Sequence, residues 1–465
     1  MNMINVRRLT VMTFLGASML SGISAQVSPL QVDTLKETKI PDQWDLQSCI
    51  DYAKEQNITI RKNRITAVST QIDVKTAKAA LFPSLSFSTG HQVVNRPYQE
   101  TSSRVSGSEI ISSNSKTSYN GNYGLNASWT LYNGNKRLKT IQQEKLNNQM
   151  AELDVATSEN NIQESIAQVY IQILYAAESV KVNENTLQVS IAQRDRGQEL
   201  LNAGSIAKSD LAQLEAQVST DRYQLVTAQA TLEDYKLQLK QLLELDGENE
   251  MNIYLPALSD ENVLAPLPTK RDVYISALSL RPEIEASKLN VEASELGINI
   301  AKSSYFPTIS LSAGIGTNHT SGSDFTFGEQ VKNGWNNSIG LSVSMPIFNN
   351  RQTKSAVQKA KLQYETSILS LLDEQKALYK TIESLWLDAN SAQQRYAAAN
   401  EKLKSTQISY ELISEQFNLG MKNTVELLTE KNNLLQAQQE QLQAKYMAIL
   451  NTQLLKFYQG DQLAL

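Results

Sequence analysis

The chain contains one unusual unit twice, a long heptad helix joined to a pair of alternating strands, and this duplication narrows what it can fold into. Ala77–Gly90 reads AKAALFPSLSFSTG and Ala301–Gly314 reads AKSSYFPTISLSAG. Tyr123–Gly134 (YGLNASWTLYNG) is matched by Ile339–Asn350 (IGLSVSMPIFNN), and Asn202–Leu211 (NAGSIAKSDL) by Asn418–Leu427 (NLGMKNTVEL). The offset between halves is about 224 residues before the strand pair and about 216 after it. Only the loop between the strands has changed length, which is where a repeat tolerates change. A length of 465 residues alone suggests two or three domains, but two halves of one architecture predict a single body.

The strands alternate strictly. Residues 83–94 set Leu85, Phe87, Thr89 and Val93 against Ser84, Ser86, Ser88 and Gly90. Residues 119–132 set Tyr119, Tyr123, Leu125, Ala127, Trp129 and Leu131 against Asn, Gly, Ser and Thr, and residues 307–317 and 335–348 follow suit. Period two with one apolar and one small polar face is also what a soluble antiparallel sheet shows. Three features favour lipid on the apolar side. Each run has a length suited to a tilted membrane strand. Aromatics gather near the strand ends, namely Phe82, Trp129, Tyr132, Phe306, Trp335 and Phe348, as an interfacial girdle requires. The opposite face is Ser, Asn and Gly, suited to a wet lumen. Four strands cannot close a membrane barrel, which starts at about eight, and open edges in hydrocarbon leave backbone groups unpaired. The chain is therefore expected to oligomerise; two copies give eight strands and three give twelve, and the strands do not choose between them.

The helices extend far beyond a bilayer. From Arg351 to Phe417 there is no proline or glycine, and Tyr364, Ile368, Leu371, Gln375, Leu378, Ile382, Leu385, Ala389, Ala392, Tyr396, Ala399, Leu403, Thr406, Tyr410, Ile413 and Phe417 alternate steps of four and three, the period of supercoiling helices. Residues 136–201 carry the same seam in Ile162, Ile166, Val169, Ile173, Ala176, Val180 and Leu187. At 1.5 Å per residue each is predicted to be about 100 Å long. Gly204 and Gly420 then turn the chain as left-handed caps. Ser209 and Thr424 are expected to cap returning helices over 210–245 and 425–458, so each half ends in a coiled hairpin whose tip lies opposite the strands. Continuous helices over 46–81 and 272–305 are expected to lead into the strands.

At the N-terminus, Arg7 and Arg8, the apolar run Leu9–Leu20 and Ile23-Ser24-Ala25 read as a cleaved export signal. No later segment offers about 18 consecutive apolar residues, which excludes helical spans. The boundaries are a signal over 1–25, a linker over 26–43, a first repeat over 44–245, an inter-repeat linker over 246–268, a second repeat over 269–460 and a tail over 461–465. Cys49 is the only cysteine, and its amphipathic setting (LQSCIDYA) predicts buried packing rather than lipidation. A formal charge of −5 gives no support to nucleic-acid binding.

The helix–FP–strand junctions (Leu81-Phe82-Pro83 and Tyr305-Phe306-Pro307), the strand-end motifs (Leu131-Tyr132-Asn133-Gly134 and Ile347-Phe348-Asn349-Asn350) and the two glycine tips together resemble TolC-like outer membrane efflux proteins. The resemblance runs from about Trp44 to Tyr458. It implies an α+β membrane protein: a homotrimer with a twelve-stranded outer-membrane barrel continued by an α-helical tunnel across the periplasm of a Gram-negative bacterium. The function it implies is that of a passive exit duct in a tripartite efflux or type I secretion system. The implied partners are a periplasmic adaptor and an inner-membrane transporter of RND, ABC or MFS type. By resemblance, Gly204, Ser205, Gly420, Met421 and Lys422 form the tips where an adaptor docks, and Glu426 narrows the entrance. The family's next acidic site falls on Thr429, beside Glu430, and Asp210 is the first-repeat equivalent of Glu426. A first-turn acid favoured by the helix dipole is the ordinary reading of these carboxylates. The chain departs from many relatives in lacking a lipidated cysteine at the mature N-terminus.

Other classes fit less well. His91 and His319 fall at strand ends or in exposed loops, without ligand spacing or a nucleophile elbow, so neither an enzyme nor a cofactor is expected. A periplasmic coiled-coil adaptor without a membrane barrel explains the hairpins but not the four strands, and a simple porin explains the strands but not the helices.

Overall fold

The structure is a computed structural model that describes residues 41–98, 102–106, 109–113, 116–246, 251–256, 263–321, 323 and 325–463. The expected export signal, most of the 26–43 linker and parts of the inter-repeat linker lie outside the described residues. In the first half, α1 (Leu46–Gln56) and α2 (Ile58–Ala79) lead into β1 (Ser84–Asn95). A short β2–β3 hairpin (Ser102–Ser106 and Glu109–Ser113) follows, then β4 (Thr117–Asn133), α3 (Lys136–Asn202) and α4 (Lys208–Leu242). The second half runs α5 (Lys270–Leu280), α6 (Pro282–Lys302), a 3-10 turn over Ser303–Tyr305, β5 (Thr308–Thr320), α7 (Phe327–Asn333), β6 (Asn336–Ser344), α8 (Gln352–Asn418) and α9 (Thr424–Gln459).

Four local expectations need correction. The helix expected over 46–81 breaks at Asn57 (ψ 127°), whose side chain accepts from the N–H groups of Thr59 and Ile60 and restarts the helix. The helix expected over 272–305 breaks at Arg281 (ψ 123°), because Pro282 drives the preceding residue out of the helical region. The two breaks are equivalent positions under the sequence offset. The fourth strand ends at Ser344 rather than 348: Pro346 has no N–H to give a ladder. The returning helices start from Ala207 and Asn423 rather than Ser209 and Thr424, and Asn423 caps by accepting from Glu426 N–H at 2.9 Å.

The sheet is antiparallel in the order β1-β4-β5-β6. Its register aligns Leu85, Ala127, Ala313 and Ile339 in one row across all four strands, and Ser86, Asn126, Gly314 and Ser338 in the next. Side chains alternate across the pleat, so one face is mainly apolar, broken toward the end remote from the helices by Thr89, His91, Thr317, His319 and Asn337, and the other is mainly Ser, Thr, Asn and Gly. No helix covers the apolar face over β6, where Ile339 is 84% and Leu341 64% exposed. At the foot of β4 the register shifts between Thr130 and Tyr132, so Tyr132 rather than Leu131 faces Ile309.

The core lies in the helices. Trp44, Cys49, Ile166, Tyr170, Ile173, Leu239, Tyr396 and Leu450 belong to one cluster that joins α1, α3, α4, α8 and α9. A second, with Val273, Ile284, Leu378, Ile382 and Leu455, seats α5 and α6 on α8 and α9. The heptad seam is therefore buried through its middle, whereas Ile368 nearer the strands remains exposed. Arg281, at the break before α6, is buried; its guanidinium donates to Glu164 on α3 at 2.8 Å and stacks 3.6 Å from the Tyr458 ring on α9. Burial raises the Glu164 carboxyl pKa, with Arg281 pulling the other way.

Candidate functional site

Two regions of the fold bear on function: the hairpin tips and the strand band. At each tip a long helix ends in a paired backbone motif. Ser205 N–H donates to Leu200 C=O and Gly204 N–H to Leu201 C=O; Met421 and Gly420 repeat this on Gln416 and Phe417. This satisfies the last carbonyls and requires a left-handed residue, supplied by Gly204 (φ 73°) and Gly420 (φ 72°). Leu214, Phe417 and Leu427 bury together just behind the tips, while Leu419, Met421 and Val425 stay exposed.

The acidic candidates are each held by neighbours in sequence or by an adjacent helix. Glu426 closes a capping box with Asn423 and accepts from Lys422 Nζ at 2.5 Å. The Lys422 ammonium, and after it the Asn423 N–H, hold the Glu426 carboxyl below the usual glutamate range. Asp210 accepts from Ala207 N–H at 3.0 Å. Glu430, one turn beyond Glu426, accepts from Ser409 Oγ on α8 at 3.1 Å. With the caps at Ala207 and Asn423, Asp210 and Glu426 occupy the third position of their helices rather than the first and second that caps at Ser209 and Thr424 would give, and among the described residues no group of three His, Cys, Asp or Glu is placed to hold a metal.

Sequence reasoning missed a buried polar cluster that lies about two turns into α9 and more than three turns from the tip ends of α3 and α4. Lys431 on α9 donates to both Asp221 on α4 and Ser190 on α3, and Ser190 donates to Asp221. Lys431 is 3% and Asp221 2% exposed. Burial pulls the lysine pKa below its usual range, against the opposing charge of Asp221. The cluster fastens the second hairpin to the first. A heptad scan for apolar residues does not find it, because its members are polar.

In the strand band, Phe82, Trp129, Tyr132, Phe306 and Phe348 sit at the helix-proximal end, where the indole N–H of Trp129 donates to Leu81 C=O at 2.7 Å. Trp335 lies at the far end, before β6. The far end also carries Tyr119, Tyr123 and Phe327, and with them both histidines: His91 lies within β1 and His319 at the end of β5, neither in a loop, and they flank Gly121 of β4 in register. The strand expected over 307–317 stops short of His319, and the alignment of non-adjacent strands is not written in either one. Among the described residues no helix is long and apolar enough to cross a membrane.

Comparison with known proteins bears on both regions. Residues 49–244 and 273–460 match the outer membrane efflux protein family. The outer membrane efflux protein BepC of Brucella suis is 24% identical over 63% of this chain and 61% of its own length. The outer membrane protein TolC of Escherichia coli is 24% identical over 61% of this chain and 58% of its own length. The chain thus spans about three-fifths of the length of these relatives. A solved structure of CusC shares the fold at a TM-score of 0.75 and 18% identity, covering 90% of this chain and 92% of that one. With a match in each half that together takes in most of its length, the chain belongs to the outer membrane efflux protein family.

Proposed function

We propose that this chain is the outer-membrane exit duct of a tripartite efflux or type I secretion assembly in a Gram-negative bacterium. Three copies pool their sheets into a twelve-stranded barrel and their long helices into a periplasmic tunnel. Solute moves through it passively and no bond is made or broken. The observation that carries this reading is the open sheet: four strands with an uncovered apolar face and two unpaired edges, β1 and β6. In water that face is an aggregation hazard. In lipid the face is satisfied and the edges are not, at several kcal/mol per unpaired group, so β1 of one copy must pair with β6 of the next.

The tips at Gly204, Ser205, Gly420, Met421 and Lys422 are the docking surface for a periplasmic adaptor, which links the duct to an inner-membrane transporter of RND, ABC or MFS type. Glu426, with Asp210 and Glu430, lines the entrance. The names of the relatives, which speak of efflux, support the same reading. A coiled-coil adaptor has no use for an uncovered apolar sheet. The test is extraction and mass. The protein should need detergent to leave the outer-membrane fraction, run as a trimer by native mass spectrometry and conduct in planar bilayers; a monomer soluble without detergent would overturn the reading.

A further inference from the structure

The chain has only two histidines among its 465 residues, 228 positions apart, and the sheet brings them to either side of one glycine. His91 and His319 each pair with Gly121, on opposite sides of β4. Tyr119 and Tyr123 stand two residues before and after Gly121 on the same face. The four rings enclose the glycine: His91 lies 5.7 Å from Tyr119 and 5.4 Å from Tyr123, and His319 lies 5.2 Å and 6.3 Å from the same two rings. Phe327 of α7 covers His319 edge-on at 5.0 Å.

Gly121 has no side chain, and both imidazole rings lean into the room this leaves. A Cβ there would lie 2.6 Å from His319 Nδ1 and 3.1 Å from His91 Nδ1, so the two nitrogens are no further apart than those distances together. His91 Nε2 is 3.1 Å from Thr89 Oγ1 and its Nδ1 is 2.7 Å from Tyr119 Oη. With Nε2–H donating to the threonine, Nδ1 is left as an acceptor facing the phenol. His319 Nδ1 is buried and has no hydrogen-bond partner beyond a weak approach to the Gly121 backbone. A buried nitrogen left without a partner is costly, and packing alone would be served as well by phenylalanine.

We propose that His91 Nδ1 and His319 Nδ1, with Tyr119 Oη as third donor, bind one late first-row divalent metal ion, Zn²⁺ or Cu²⁺, over Gly121. Imidazole is the ligand these ions favour, and small rotations about the two histidine side chains bring their nitrogens to the roughly 2.0–2.1 Å that zinc requires. The ion takes the lone pair that His91 now offers to the phenol, whose proton turns away or is released to solvent. Bound there, it ties β1, β4 and β5 together at the end of the sheet remote from the helices.

The test uses the full-length protein in mild detergent, carried on a histidine-free affinity tag, with Zn²⁺ alone as probe in calorimetry and Cu²⁺ alone in electron paramagnetic resonance. One ion per chain and coupling of copper to two imidazole nitrogens are expected. His91→Ala and His319→Ala should each weaken binding by at least the roughly tenfold that even a supporting group costs. Because variants can perturb the sheet, wild-type protein is also treated with diethyl pyrocarbonate, where Zn²⁺ should protect both histidines. Absence of stoichiometric binding, unchanged affinity in the double variant, or no protection of the wild-type histidines would overturn the proposal.

Discussion

The buried cluster of Lys431, Asp221 and Ser190 gives the sharpest test of how the two hairpins are held together. Asp221→Ala removes the counter-charge and leaves an ammonium that is 3% exposed among three helices. Removing one partner of a buried pair costs about 3–5 kcal/mol, because the survivor is uncompensated. Gln217, which donates to the other carboxylate oxygen at 2.9 Å, does not offset this; its amide is neutral and offers Lys431 no counter-charge. Replacing the whole cluster (Ser190→Ala, Asp221→Leu, Lys431→Met) removes every polar group together, and such swaps are often neutral or stabilising. Hydrogen exchange read by mass spectrometry at Leu427–Leu435 and Val218–Gln224 measures local opening. At about 1.4 kcal/mol per tenfold, Asp221→Ala should open these segments roughly a hundred- to several-thousand-fold more often. The triple variant should exchange close to wild type. If Asp221→Ala exchanges no faster than wild type, or the triple variant exchanges as fast as Asp221→Ala, the cluster is not what joins the hairpins.

Four further outcomes are expected. Glu426 has a lowered pKa in the fold, so its support of the start of α9 is fully present above the ordinary glutamate value of 4.5 and is lost as pH falls through the lowered one; amide exchange at Val425–Leu428 should quicken only on that acid side, and Glu426→Gln should remove the dependence. Under the duct reading, Glu426→Ala should also raise single-channel conductance or shift cation selectivity in planar bilayers, and unchanged currents would remove it from the entrance. Burial, reinforced by the Asp45 charge, pushes the Cys49 thiol up to about 12, so a maleimide should leave the folded protein unlabelled in mildly alkaline buffer and react once it is unfolded. Gly197 on α3 receives Leu214 of α4 where a Cβ would stand; Gly197→Val should cost about 1–3 kcal/mol by overpacking, seen as a lower unfolding midpoint with the strands intact by circular dichroism.

What the sequence disclosed depended on how local the signal was. The strands were legible because period two needs only a few consecutive residues, as in SLSFSTG, and the long helices because steps of four and three persist over many turns. The end of β6 and the break at Arg281 also have a local mark, since Pro346 interrupts the alternation of the strand and Pro282 the period of the helix. Asn423 was passed over for Thr424 because both are good caps, and only the hydrogen bond to Glu426 N–H decides between them. Two features had no local trace. Lys431, Asp221 and Ser190 come from three helices, and His91 meets His319 only once β4 is placed between β1 and β5. Sequence period marks which face a residue takes, but not which distant residue shares it.

The two long helices, α3 and α8, each contain 67 residues. At 1.5 Å of rise per residue they are matched struts of about 100 Å, and they act as a gauge: helix length, rather than any contact, sets how far the tips stand from the sheet. A heptad inserted into both would lengthen the reach by about 10 Å and keep the tips level. A heptad inserted into one alone would leave a step of the same height, and a docking partner that meets both hairpins at once would find them out of plane.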